Sequence, residues 1–227
     1  LTLPTLQNYH EIAPVYDLFD SFTFLLTETS LGYGVEEFYK DFKFFPTHDD
    51  IQSTLYAIGQ KFPQRREQLE EFLIRAIPFI ASFRVIRDKH IMITEFTHTN
   101  GAIFNIPEES DGTRRILNIL AALYQPNTPS LLAIEEPELF IHPGALAMLC
   151  EIIEEASLRQ QIIITTHSPD LIAKFDVNAI RVVELTDDGT KIDVIADSQL
   201  EAINEKLFGT GDILRIDGRL KRKEHEA

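Results

Sequence analysis

The sequence predicts an α/β fold in which helices flank a parallel sheet. The first observation is a pair of short apolar runs, SLLAI at 130–134 and QIIIT at 161–165, each with the length of a strand. The second is the helical pattern at 143–155 between them, which places leucine and isoleucine on one face. Apolar strands joined through a helix are typical of parallel sheets covered on both faces.

The first part of the chain, to residue 83, is predicted to be mainly helical. Residues 49–62 and 65–77 each carry apolar side chains on one helical face, and Pro78 ends or kinks the second helix. The predicted organisation is therefore a mainly helical region over 1–83 and a second region over 84–227. The helical region would form an insert in the α/β domain or an arm packed alongside it.

From residue 84 the pattern predicts strands first and then alternating helices and strands. Asn100-Gly101 is a strong hairpin signal, and the neighbouring His98 is expected to be a solvated turn residue. The remaining elements are a helix at 112–124, the two strands and the helix named above, a short helix after Ser168, and an edge hairpin from 180–185 and 190–195.

Composition limits the classes of function. The chain has 227 residues, 44% apolar and 25% charged, which suits one globular core. Its 21 basic and 36 acidic residues give a net charge of −15, so its surface is a poor match for a phosphate backbone. No apolar run reaches the length of a membrane span, no leader is visible and the one cysteine excludes a disulfide framework, so a cytoplasmic protein without membrane contact is expected.

Polar side chains follow both predicted parallel strands. Glu135 and Glu136 follow the first, and TTHSPD, with His167, follows the second. Ligands of parallel sheets bind at the carboxyl ends of the strands, so two carboxylates and an imidazole are expected to converge there if the strands are neighbours. The alternatives are an acidic turn that faces solvent and a histidine at a helix start, with Ser168 as a simple N-cap.

A third cluster begins the helix at 112–124. Ser110, Asp111 and Gly112 stand where the unpaired N–H groups of a helix N-terminus could bind a phosphate, with glycine permitting close approach. The alternative is an ordinary capped helix.

Taken in order, SDGTRR, LLAIEEPE, LFIHP and IIITTHSP resemble the C-terminal half of an ABC-type ATPase head, over residues 84–218. The resemblance is to AAA-family ATPases of the RecF and OLD kind, which are related to SMC heads. It implies a P-loop NTPase sheet with flanking helices. Leu131 to Glu136 match the Walker B strand, and Glu138 to His142 match the D-loop.

The resemblance also implies the cofactors ATP and Mg²⁺ and a role for each candidate residue. Glu136 would be the catalytic base that activates water, and Glu135, where the family usually has Asp, would support Mg²⁺ through water. His167 would be the catalytic switch histidine. Ser110, Asp111 and Gly112 would be the signature motif, which binds the ATP held by a partner subunit and so implies a homodimer around an ATP sandwich.

The motif G-x-x-x-x-G-K-[ST] does not occur in these 227 residues. With Leu1 as the first residue, the sequence is expected to be the C-terminal portion of a longer ATPase and to be inactive in isolation. Two hypotheses remain. The first is an ATPase head in DNA maintenance or anti-phage defence, with DNA or an effector protein contacted through regions outside this chain. The second is a non-catalytic degenerate or split module that acts as a dimerisation scaffold.

Overall fold

The computed structural model describes residues 22–25, 43–44, 48–88 and 91–223. The chain divides into two compact units, Leu1–Thr165 and Thr166–Ala227. The elements of the first unit are β1 (Phe22–Leu25), β2 (Lys43–Phe44), α1 (His48–Lys61), α2 (Pro63–Ala76), β3 (Ile80–Asp88), β4 (Ile91–His98), β5 (Ile103–Asn105), a 3-10 turn (Ile106–Glu108), α3 (Asp111–Tyr124), β6 (Leu131–Glu135), α4 (Pro143–Ser157) and β7 (Gln161–Thr165). Those of the second unit are α5 (Pro169–Ile172), a 3-10 turn (Val177–Ala179), β8 (Val182–Thr186), β9 (Gly189–Asp193), α6 (Asp197–Asn204) and α7 (Thr210–Asp217).

A four-stranded sheet organises the first unit. Its order is β2-β1-β6-β7, and each neighbouring pair runs parallel. In the register of β6 and β7, Glu135 lies opposite Thr165. The parallel α/β sheet predicted from the sequence is therefore confirmed, with the two strands predicted to be neighbours joined through α4.

Helix α3 is the most deeply buried helix of the described part of this unit. Every residue from Arg115 to Tyr124 is buried, and α1 and α2 pack against it. Leu69 and Leu73 form the buried face of α2, and the Phe72 ring lies 6.5 Å from the ring of Tyr124. Burial of a whole helix among apolar neighbours fixes its position, so the residues at its N-terminus are held on a rigid element.

A second sheet, β3-β4-β5, is antiparallel. Gly101 takes a φ of +85° in the turn between β4 and β5, which confirms the predicted hairpin. The predicted solvation of His98 is wrong: its ring packs against those of Phe79 and Phe104, and its Nε2 lies 2.6 Å from Oε1 of the buried Glu109. His98 is therefore held by Glu109, a residue outside the turn, rather than by solvent.

The division at residue 83 stays a prediction. Helices α1 and α2 confirm the helical segments predicted before it, but β1 lies in the same region and pairs with β6. Strand β3 continues across residue 83.

In the second unit, β8 and β9 form the predicted hairpin, and α5 packs against α7. A Cβ on Gly211 would overlap the carbonyl of Pro169, and Arg215 pairs with Asp170, so backbone packing and an ion pair join the two helices. Among the described residues, no helix is long and apolar enough to cross a membrane.

Candidate functional site

Strand β6 ends in the two adjacent glutamates. Leu132 and Ile134 are buried, whereas Glu135 is exposed and Glu136 is half-buried. Glu136 has a φ of +40°, and its N–H donates to the carbonyl of Thr165 over 2.8 Å. A positive φ is uncommon outside glycine and persists only where the surroundings hold it. The chain therefore turns sharply at Glu136, at the carboxyl edge of the parallel sheet.

The loop after this turn is tightly folded. The N–H of Leu139 donates to the carbonyl of Glu136 over 3.1 Å, and that of Ile141 donates to the carbonyl of Glu138 over 3.1 Å. Phe140 is 66% exposed and also adopts a positive φ, +64°. The loop ends at His142, whose Nδ1 accepts from the Gly144 N–H as the N-cap of α4. The hydrogen-bonded loop after β6 thus leaves the apolar ring of Phe140 exposed on the surface.

Ser110 is the N-cap of α3. Its Oγ accepts from the Thr113 N–H over 3.1 Å and lies 2.9 Å from the Thr113 hydroxyl oxygen. Asp111 forms an ion pair with Arg114, and both Ser110 and Asp111 are exposed. The capped helix start named above as an alternative is therefore present. A capping hydroxyl keeps further hydrogen-bonding capacity, so the cap leaves a role in phosphate binding open.

Gly112 joins the start of α3 to the loop after β6. A Cβ at this position would lie 2.5 Å from the carbonyl oxygen of Phe140. Glycine is therefore required here by backbone packing, a reason that the sequence did not disclose. Since the two segments touch, Ser110, Gly112 and Phe140 lie together on the surface of the first unit.

Arg115 is a residue that the sequence reasoning missed. It is only 6% exposed, and its guanidinium donates to the backbone carbonyls of Glu135 and, over 3.3 Å, of Glu136. Burial lowers the pKa of Arg115 below its usual value, and the nearby carboxylates of Glu135, Glu138 and Glu136 oppose that shift. The available signal was helical phase, since residue 115 shares a face with the apolar positions 119 and 122.

His167 belongs to the second unit, where it is exposed. The hydroxyl of Thr166 accepts from the Ser168 N–H over 2.9 Å, and the hydroxyl of Ser168 accepts from the Leu171 N–H over 3.2 Å. Ser168 is therefore the N-cap of α5, as in the alternative given above. The predicted convergence of His167 with the two glutamates stays a prediction.

Within the described residues, no group of three or more histidine, cysteine, aspartate and glutamate side chains could hold a metal ion by itself. Mg²⁺ is commonly bound by one or two carboxylates together with waters and substrate phosphates. Two adjacent glutamates at a sheet edge fit that mode of binding.

A family model described as "AAA domain, putative AbiEii toxin, Type IV TA system" matches residues 10–173. The chain belongs to this family of AAA domains. No curated protein gave a significant sequence match.

Solved SMC head structures share the fold. One, from work on ATP-driven dimerisation and DNA-stimulated activation of SMC ATPases, is 16% identical, with a TM-score of 0.50 over 67% of this chain and 96% of that chain. The Smc head of Pyrococcus furiosus, bound to the C-terminal domain of ScpA, is 14% identical, with a TM-score of 0.52 over 90% of this chain and 50% of that chain. The Smc head of Pyrococcus yayanosii is 15% identical, with a TM-score of 0.51 over 67% of this chain and 30% of that chain. The chain is therefore an AAA-type domain with the P-loop NTPase fold of SMC ATPase heads, and it spans half or less of the two Pyrococcus chains.

Proposed function

We propose that this chain is part of an ABC-type ATPase head that binds and hydrolyses ATP with Mg²⁺ between two copies of the protein. The observation that carries the proposal is the sharp turn at Glu136, which ends a strand of a parallel sheet and presents two carboxylates at its ligand-binding edge. Family membership and the fold support the same class of activity.

Glu136 would orient a water molecule and accept its proton as the water oxygen attacks the γ-phosphorus. The new P–O bond forms while the bond to the bridging oxygen breaks, and ADP and phosphate leave. Glu135 would support Mg²⁺, which when bound neutralises phosphate charge. His167 would contact the γ-phosphate from its exposed position before α5. Phosphoryl transfer needs little covalent help from the protein, so positioning is the main task of these residues.

The nucleotide would be shared between two copies. We propose that Ser110, Asp111 and Gly112 bind the ATP of the partner subunit, whose phosphate-binding loop is supplied by sequence outside these 227 residues. The exposure of Ser110, Asp111 and Phe140 supports a contact surface at the start of α3. Without such a loop the chain would be inactive by itself.

The biological process is proposed from the proteins that this chain resembles. The matching family is described by AbiEii and Type IV toxin–antitoxin systems, which supports anti-phage defence. One of the SMC ATPases that share the fold is activated by DNA, which supports DNA maintenance. Because the chain is acidic, DNA or an effector would be contacted through other regions.

The alternative is a non-catalytic dimerisation scaffold, which the missing phosphate-binding loop would favour only if the native chain also lacks that loop. Glu136→Gln in the full native protein distinguishes the two. We expect steady-state turnover to fall about 100-fold or more, as for loss of a general base, while ATP binding is retained. Glu151→Gln, at an exposed position on α4, is the control. Unchanged turnover in Glu136→Gln would refute the role of Glu136, and a wild-type protein that dimerises without binding ATP would establish the scaffold.

A further inference from the structure

Arg115 connects helix α3 to the end of strand β6. Its guanidinium donates to two successive carbonyls, those of Glu135 and Glu136, which flank the sharp turn. Both bonds come from one guanidinium nitrogen, Nη2, which carries two N–H groups and can donate to two neighbouring acceptors at once. A backbone turn held in this way has both of its carbonyls fixed by one side chain.

A buried arginine is expensive to remove from water, so this contact needs a physical reason. Arg115 is 6% exposed, and the carboxylates of Glu135, Glu136 and Glu138 lie close enough to favour its charged form. The cation is thus compensated by the acids of the segment that it holds. The guanidinium of Arg115 therefore both binds the backbone of Glu135 and Glu136 and interacts electrostatically with their carboxylates.

The turn that Arg115 holds is strained. Glu136 has a φ of +40°, and its N–H also donates to Thr165. Four hydrogen bonds therefore hold the peptide groups around Glu136: two from Arg115, one to the Thr165 carbonyl of β7 and one from the Leu139 N–H. A non-glycine residue with positive φ relaxes toward ordinary backbone when such support is removed. That change would re-aim the carboxylate.

We propose that Arg115 is a positioning residue that couples the start of α3 to Glu136. The proposal rests on the ATPase function given above. Gly112, three residues earlier on the same helix, touches the carbonyl of Phe140 at the far side of the loop. Helix α3 thus contacts both ends of the segment 135–140. Through these two contacts, engagement of the N-terminus of α3 with the nucleotide of a partner subunit would be coupled to the position of Glu136.

The test is Arg115→Lys in the full native protein, with Arg115→Met as a second variant that removes the charge. Arg84→Lys is the matched control, because Arg84 is exposed and pairs with Glu95 across β3 and β4. Lysine keeps the charge, but its side chain is one bond shorter than that of arginine, so its nitrogen falls short of the two carbonyls that Nη2 of Arg115 reaches. We expect kcat to fall about 100-fold, the scale of an ångström misplacement of a catalytic group. KM and Kd for ATP should change less than about threefold, because nucleotide contacts remain.

Hydrogen exchange without nucleotide supplies a second readout. We expect the amides of residues 135–141 to exchange faster in Arg115→Lys than in Arg84→Lys, with exchange in 116–124 unchanged. A kcat equal to that of the control, or parallel losses in kcat, ATP affinity and protection of 116–124, would overturn the proposal. If wild type and control show no ATP hydrolysis, the proposed function fails, and the exchange of residues 135–141 still decides whether Arg115 holds the turn.

Discussion

Substitution of Gly112 by alanine tests the contact between α3 and the loop after β6. The new Cβ would lie 2.5 Å from the Phe140 carbonyl oxygen, roughly 1 Å short of an ordinary C···O contact of about 3.3–3.6 Å. Helix α3 is buried from Arg115 to Tyr124 and packs against α1 and α2, so the loop moves more readily than the helix. Overpacking of this kind costs about 1–3 kcal/mol, and alanine returns up to about 1 kcal/mol in helix propensity.

With about 2 kcal/mol for the overlap and about 1 kcal/mol returned in helix propensity, the net loss in the free energy of unfolding is about 1 kcal/mol for Gly112→Ala, or a fall in Tm of about 2–4 °C for a chain of this size. Urea denaturation and thermal melting followed by circular dichroism measure both quantities. The control is Gly59→Ala in α1, where the nearest atoms are 3.7 Å away and belong to the flexible Arg66 side chain. It should be neutral or more stable than wild type. A Gly112→Ala variant as stable as Gly59→Ala would refute the close packing of the two segments.

Two further predictions concern buried polar groups. Tyr124→Phe removes a buried hydroxyl that has no hydrogen-bond partner among the described residues, so stability at neutral pH should be unchanged or rise by up to about 1 kcal/mol in urea denaturation. Burial raises the pKa of Tyr124 to about 12, so the wild type should lose stability as the pH rises from about 10, where the unfolded chain ionises, to about 12, and the variant should lose less. Glu109→Ala removes the hydrogen-bond partner of His98 and should cost about 1.5–3 kcal/mol in the same assay. Glu95→Ala, which breaks the more exposed pair with Arg84, should cost about 1 kcal/mol or less, and equal losses in the two variants would contradict the buried character of the first pair.

Much of the fold follows from local patterns. The helix predicted at 112–124 occupies 111–124, and the strand predicted at 161–165 has those bounds. The helix carries a clear apolar period, and the strand is a short apolar run bounded by polar residues. By contrast, β1 is a four-residue strand that pairs with β6, more than 100 residues later. No local period reveals a partner so distant, and its phenylalanines are equally compatible with helix packing.

In the candidate site, too, some residues could be predicted from the local sequence, and others depend on tertiary contacts. The acidic pair at 135–136 stands out because an apolar run ends there, and parallel pairing places that end at a ligand-binding edge. Arg115 does not stand out, because an arginine in a helix is expected at the surface. Its burial depends on the acids of a segment twenty residues away, which is a tertiary property. Gly112 was recognised, but its contact with Phe140 depends on the path of the loop and could not be predicted.

The charges at the end of β6 would favour the binding of a divalent cation. Three carboxylates, those of Glu135, Glu136 and Glu138, surround one buried guanidinium, that of Arg115, so the segment keeps a surplus of negative charge. A surplus at the ligand-binding edge would repel a bare polyphosphate. A cation placed between the acids and the phosphates removes that repulsion and leaves the proposed base close to the reacting water. Arg115 donates to the backbone carbonyls of the turn from inside the unit. The same buried cation thus holds the geometry of the turn and limits how much negative charge the site presents.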